Sequence, residues 1–117
     1  MTMNRWGESP TPREGDLATR RLAQLLHSLA EPARLSIVRH LALGEHRVVD
    51  LTEHLGLAQS TTSAHLAVLR DAGIVTVRAD GRSSLYGLAA PAELDALLEA
   101  AELLGAAVSA APSGVPR

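Results

Sequence analysis

The 117-residue chain has no cysteine, no phenylalanine and no lysine, and its aromatic side chains are limited to Trp6 and Tyr86. Without cysteine there is no disulfide, thiolate metal site, thiol redox sensor or cysteine nucleophile. With so few large rings, a core must be built from Leu, Val, Ile and Ala, a composition that favours helices. No apolar run approaches the roughly 20 residues a membrane-spanning helix needs. The opening stretch "MTMNRWGESPTPREG" lacks the hydrophobic centre of a secretory signal. These absences lead us to expect a soluble, cytoplasmic protein without a membrane partner. The length and the 46% apolar content suit one domain with a core of its own.

Charge is unevenly spread. The formal net charge is −2, weak for a protein that binds nucleic acid. Residues 17–90, however, carry eight Arg against six Asp and Glu, whereas residues 91–117 carry one Arg against four acids. The positive excess therefore lies in the middle of the chain. Every cation there is a guanidinium, suited to bidentate contact with phosphates and base edges; a GC-rich genome would leave the same trace.

Residues 1–15 are polar and contain Pro10, Pro12, Gly7 and Gly15, and read as a flexible arm. Residues 16–110 read as the folded domain and 111–117 as a frayed tail. Asp16 is placed to cap a first helix over about 17–29, with Leu22, Leu25, Leu26 and Leu29 on one face. Pro32 suits the first turn of a second helix that ends before Gly44, with Leu35, Ile37, Val38 and Leu41 inward. A third helix spans about 48–55, stopped by Gly56. The stretch "GLAQS" then turns into a fourth, from about Ser60 to Ala72, stopped by Gly73. Two helices joined by a glycine-containing turn form a helix-turn-helix pattern. Strands over 74–79 and 83–88 flank Asp80-Gly81, a hairpin signal because a tight turn needs positive φ. Pro91 opens a last helix to about Ser109, with Leu94, Leu97, Leu98, Ala101, Leu104 and Val108 in one stripe. The expected fold is mostly α with a small β-hairpin: a winged helix-turn-helix in the order four helices, two strands, one helix.

The chemistry concentrates in "AQSTTSAHLAVLRDAG". Stepping 100° per residue from Leu66 as the buried centre puts Thr62 and Leu69 beside it. Ser60, Thr61, Ala64, Ala67 and Val68 fall on the opposite side, with Ser63 and His65 at the boundary. Small residues let a helix sit deep in a major groove, and hydroxyls and amides bond phosphate oxygens and base edges. Gln59 can pair with adenine, and His65 can donate to a phosphate or base. The plainer reading is a helix cap, a role that suits Ser60 but does not use four successive hydroxyls. Arg78 and Arg82 flank the hairpin turn and Arg70 lies late in the helix, placed to hold a minor groove or the backbone; solvated charges would look the same. The candidate DNA-binding residues are Gln59, Ser60, Thr61, Ser63, Ala64, His65, Arg70, Arg78 and Arg82.

The segments "LAEPARLSIVRHL" (29–41), "DLTEHLGLAQSTTSAHLAVLRDAGIV" (50–75) and "GRSSLYGL" (81–88) resemble the ArsR/SmtB family of bacterial transcriptional repressors. Ser60, Ser63, His65, Leu66, Leu69, Arg70, Ala72 and Gly73 match its S-x-x-S-x-H-L-x-x-L-R-x-A-G signature, and Tyr86 its wing tyrosine. The resemblance covers about residues 20–90. It implies a homodimer held by the first and last helices. It also implies binding of double-stranded operator DNA through helix 60–72 and a wing around 80–84. Independently, a long Leu/Ala stripe is a poor surface for a small monomer. The candidate dimer interface is Leu22, Leu25, Leu94, Leu97, Leu98, Ala101, Leu104 and Val108, although the stripe can also fold onto its own core.

Many relatives release DNA when a metal binds. The cysteine site that the resemblance implies would fall near Arg47 and Val49, neither of which is cysteine. A second type of site would fall on Asp95, Leu97, Val108 and Ala111, of which only Asp95 can bind metal. His46, Asp50 and His54, spaced by four, can share a face, with His27 and His40 able to contribute. Such ligands suit Ni(II), Co(II) or Zn(II); ordinary surface positions are the bland alternative. Asp95, Glu99 and Glu102 line the solvated side of the last helix. The leading expectation is a dimeric DNA-binding regulator, acting as a repressor. The alternatives are a winged-helix module that docks a protein partner, and a regulator whose partner senses the effector. Thr61 and His65 could form a nucleophile pair on one helix, but no orienting acid or oxyanion donor accompanies them, so no enzyme is expected.

Overall fold

The computed structural model describes residues 12–110. Five helices and one hairpin follow in the order α1 (Pro12–Leu29), α2 (Pro32–Leu41), α3 (Val48–Leu55), α4 (Gln59–Asp71), β1 (Val75–Asp80), β2 (Ser83–Leu88) and α5 (Pro91–Ser109). This is the expected winged helix-turn-helix order, with several boundaries moved.

α1 begins at Pro12, so Asp16 lies inside the helix instead of capping it, and residues 12–15 of the expected arm are helical. Proline suits a first turn because its missing N–H has no partner there to lose. Residues 1–11 and the tail 111–117 lie outside the described residues. α2 ends at Leu41, two residues short of the expected end. Its chain then tightens through Leu43 N to His40 O (3.0 Å) and Gly44 N to Leu41 O (3.1 Å), the short-range bonds that often close a helix. Its start is capped by Glu31, whose Oε2 accepts from Ala33 N (2.9 Å) and Arg34 N (3.3 Å).

The core forms where α2, α3, α4 and the base of the hairpin meet the end of α1. Leu29, Ile37, Val38, Leu41, Leu51, Leu66, Leu69, Ile74 and Val75 are buried in it. Each contributes about 1.5–3 kcal/mol by leaving water. Thr62 is also fully buried, and its hydroxyl donates to Ala58 O at 3.2 Å. Thr62, Leu66 and Leu69 lie three and four residues apart, so one side of α4 is anchored and the other is left outward.

Between α3 and α4, Gly56 adopts φ +66° and donates to Thr52 O at 2.9 Å, a left-handed cap that residues with a Cβ seldom adopt. In the hairpin, Asp80 pairs with Ser83, so the loop is Gly81-Arg82 and Asp80 belongs to the strand. Gly81 has φ +64° and, among the described residues, none other than glycine has positive φ, the pattern of a turn with glycine at its first central position. One pairing has no counterpart in the sequence reading. His46, in the loop before α3, forms an antiparallel bridge with Tyr86, with His46 N to Tyr86 O at 3.0 Å and Tyr86 N to His46 O at 2.8 Å.

α5 contributes no buried residue. Leu94, Leu97 and Leu98, at its start, pack partly against the core. Farther along, Leu103, Leu104 and Val108 are 68%, 65% and 65% exposed. The stripe thus divides: its first half folds onto its own chain, and its second half has no cover within one protomer.

Candidate nucleic-acid interface

The outward side of α4 carries Gln59, Ser60, Thr61, Ser63, Ala64, Ala67 and Val68, all exposed. The N-cap is Ala58, with no side-chain cap bond. Ser60 is therefore not the cap, and its hydroxyl remains outward. The first-turn amides of Gln59, Ser60 and Thr61 precede the first backbone donor of the helix, since the first helical bond runs from Thr62 N to Ala58 O at 3.0 Å. Free amides and the positive end of the helix dipole favour an anion at this end. Arg70 and Arg82 are exposed, and neither forms an ion pair among the described residues.

The wing is held beside this helix by three consecutive residues. Glu45 accepts from Arg78 twice, with Nε to Oε2 and Nη2 to Oε1 both 2.9 Å. His46 forms the backbone bridge to Tyr86. Arg47 donates to Asp80 Oδ2 at 2.9 Å. Gly87, opposite Thr76 in the hairpin, leaves room for the Glu45 stem: a Cβ there would stand 3.2 Å from Glu45 Cγ. Arg78's hydrogen bonds lower the Glu45 pKa from its ordinary value, with partial desolvation opposing. The same bonds raise that of Arg78. A depression lined by Arg47, Val48, Val49, Gln59, Ser83, Ser84 and Tyr86 joins the start of α4 to the wing. The structure thus brings Gln59, at the start of the outward side of α4, beside the wing, with Arg82 in the hairpin loop and Arg78 already paired.

His65 sits elsewhere. It is half-buried against the corner between α1 and α2, its Nδ1 3.3 Å from Arg34 Nη1 and its Nε2 3.7 Å from Glu31 Oε2. Guanidinium only donates, so Nδ1 accepts and the ring is the Nε2–H tautomer. Arg34 continues to the end of α1, with Nε to Ser28 O at 2.6 Å and Nη2 to His27 O at 3.4 Å. His65 thereby ties α4 to that corner through the same Glu31 that caps α2. The Glu31-Pro32 pair marks a helix start in the sequence, but nothing in the spacing announced its reach to His65.

Of the candidate metal ligands, His46 and His54 lie close, with ring centroids 6.0 Å apart. Asp50 joins them through its backbone carbonyl, which His54 Nδ1 approaches at 2.7 Å, and the third ring nearby is His40. Among the described residues, no three His, Asp or Glu side chains already stand in a geometry that holds a cation. No helix among them is long and apolar enough to cross a membrane.

A family model described as "Bacterial regulatory protein, arsR family" matches residues 31–77, from the Glu31 cap to the first wing strand. A biofilm growth-associated repressor of Agrobacterium fabrum is 45% identical over 83 residues, covering 71% of this chain and 70% of that one. The chain belongs to the arsR family of bacterial regulatory proteins. A probable mercury resistance operon repressor of Streptomyces lividans is 35% identical over 76 residues, 65% of this chain and 61% of that one, so the match spans less than two thirds of that relative. Among solved structures, the homodimeric winged helix-turn-helix DNA-binding domain of Mb0332 from Mycobacterium bovis superposes with a TM-score of 0.70 at 30% identity. That superposition covers 81% of this chain and 89% of the other. An arsR-family chain is a transcriptional regulator and not an enzyme, and the β1–β2 hairpin is the wing of its winged helix-turn-helix fold.

Proposed function

We propose that the chain acts in the cytoplasm as a homodimeric repressor that inserts the start of α4 into the major groove of its operator and holds the flanking backbone with the wing. The observation that carries this is the outward edge of α4, with Gln59, Ser60, Thr61, Ser63 and Ala64 exposed and no side-chain cap, whose first residue shares a depression with the clasped hairpin. Ser60, Thr61, Ser63 and Gln59 supply hydrogen bonds, Ala64 supplies close approach, and Arg70 and Arg82 supply phosphate contacts. Arg78 and His65 position the wing and the helix, because their polar atoms are already engaged within the fold. The dimer forms through the exposed second half of α5 with the outer face of α1, where Leu22 is half exposed. The Mycobacterium bovis relative is described as a homodimer, which supports a two-copy assembly. Two recognition helices then meet half-sites about one DNA turn apart.

A gel-shift titration on DNA upstream of the gene tests this reading. Replacing Thr61 and Ser63 together by Ala should weaken binding about tenfold or more while the dimer persists. The four guanidiniums per dimer assigned to phosphates, Arg70 and Arg82 of each copy, predict a slope of log affinity on log salt of about −4. Unchanged affinity in the double variant, or a slope near zero, would end the assignment. The relative described as a mercury resistance operon repressor extends the proposal to a metal effector of the Ni(II), Co(II) or Zn(II) class, held by imidazoles since thiolates are lacking.

A further inference from the structure

His40, His46 and His54 come from α2, the following loop and α3. Their ring centroids lie 5.2 Å apart for His40–His54, 6.0 Å for His46–His54 and 6.5 Å for His40–His46, with planes crossed at 74°, 82° and 85°. Edge-to-face contact accounts for any one such pair. It does not account for what the three share. Each presents Nδ1 to a backbone carbonyl: His40 to Ser36 O at 2.9 Å, His46 to Gly44 O at 2.7 Å and His54 to Asp50 O at 2.7 Å. A carbonyl can only accept, so Nδ1 carries the proton in all three and Nε2 keeps its lone pair. A backbone carbonyl fixing the tautomer of a neutral imidazole is the usual outer support of a metal-binding histidine.

We infer that His40, His46 and His54 bind one first-row divalent ion through their three Nε2 atoms, with water completing the coordination. The ligand set is all imidazole, which suits Zn(II), Ni(II) and Co(II) and disfavours the oxygen-seeking Mg(II) and Ca(II). Bonds of about 2.1 Å place the ring centres of two histidines on a tetrahedral ion roughly 5 Å apart. His40 and His54 already have that spacing. His46 stands farther from both, at 6.5 and 6.0 Å, and no closed site is present among the described residues. Binding therefore draws His46 inward. His46 is the middle residue of the 45–47 clasp and is bridged to Tyr86, so the movement passes to the wing. That last step rests on the operator-binding proposal; ion binding itself does not.

Calorimetric titration of the full chain with Zn(II), Ni(II) and Co(II), with Mg(II) as control, tests the site without DNA. One ion per chain is expected, together with perturbation of the Nε2 resonances of these three rings in histidine-selective NMR. His46→Ala and His54→Ala should each weaken binding at least tenfold, whereas His27→Ala, outside the trio, should not. His54→Gln, which keeps the size of the side chain, guards against a folding artefact and should weaken binding equally. The absence of binding, or an ion bound unchanged by the His46→Ala/His54→Ala pair, overturns the inference. Failure of the operator proposal would show separately, as an absent DNA shift in protein whose ion titration is intact.

Discussion

Thr52 shows how a single side chain tests the packing. Its hydroxyl is buried with no hydrogen-bond partner among the described residues, whereas the buried hydroxyls of Ser28 and Thr62 donate to Leu25 O and Ala58 O. An unmade buried bond costs about 1–3 kcal/mol. Thr52→Val should therefore raise the unfolding midpoint by several degrees, measured by calorimetry; a lower midpoint would mean that the hydroxyl is satisfied in solution. Glu45 offers a test in pH. Its pKa is lowered by Arg78's hydrogen bonds, so its contribution is present above the ordinary carboxylate value and is lost as pH falls through the lower, folded one. Carbon-detected NMR should find the Glu45 midpoint below that ordinary value, returning to it in Arg78→Ala. Individual residues were legible in the sequence where a period decided their side: Thr62, Leu66 and Leu69 are buried as stepping from Leu66 required. His65 lay at the boundary of that pattern. Its fate was settled by Glu31 and Arg34, more than thirty residues away in the chain, which no local period encodes.

Among the elements, the wing depends on neighbours more than on itself. A two-stranded hairpin alone is marginal in water. Here the tip is held by Arg47–Asp80 and the middle by Arg78–Glu45 and the His46–Tyr86 bridge. Both ion pairs are exposed, so neither holds the wing strongly by itself. Removing both cations in Arg47→Ala/Arg78→Ala should speed amide exchange across β1 and β2 while α2, α3 and α4 stay protected. Operator affinity should fall several-fold with no change in the dimer. Equal loss of protection in the helices would show that the clasp supports the whole fold. The strands themselves were readable from alternation and from Gly81, and α3 and α5 fall where glycine and proline bound them. The clasp was not readable, because Glu45, His46 and Arg47 carry no local signature and their partners lie 33 to 40 residues onward. The start of α1 was misjudged for a different reason: proline and glycine near Asp16 suggested a linker, but a proline in a first turn is compatible with helix.

At the scale of the molecule, α5 is the element through which we propose the two copies meet. Leu103, Leu104 and Val108 stand in solvent in a single protomer while the first half of the helix is docked. Leu104→Glu should therefore convert the dimer to a monomer in light-scattering chromatography and reduce operator affinity far more than the wing variant does. A dimer that persists would place the interface elsewhere. The sequence marked the apolar stripe but not its division, since Leu97 and Leu104 look alike in a periodicity plot and differ only in what lies across from them. With half of a helix dependent on a second copy, the regulator measures its own abundance. When chains are scarce most are single, and occupancy of the control region climbs with the square of their number before levelling off. Silencing of the target then switches on over a narrow span of expression, a steepness that a reporter titrated with increasing doses of the gene would display and that the Leu104 variant would flatten.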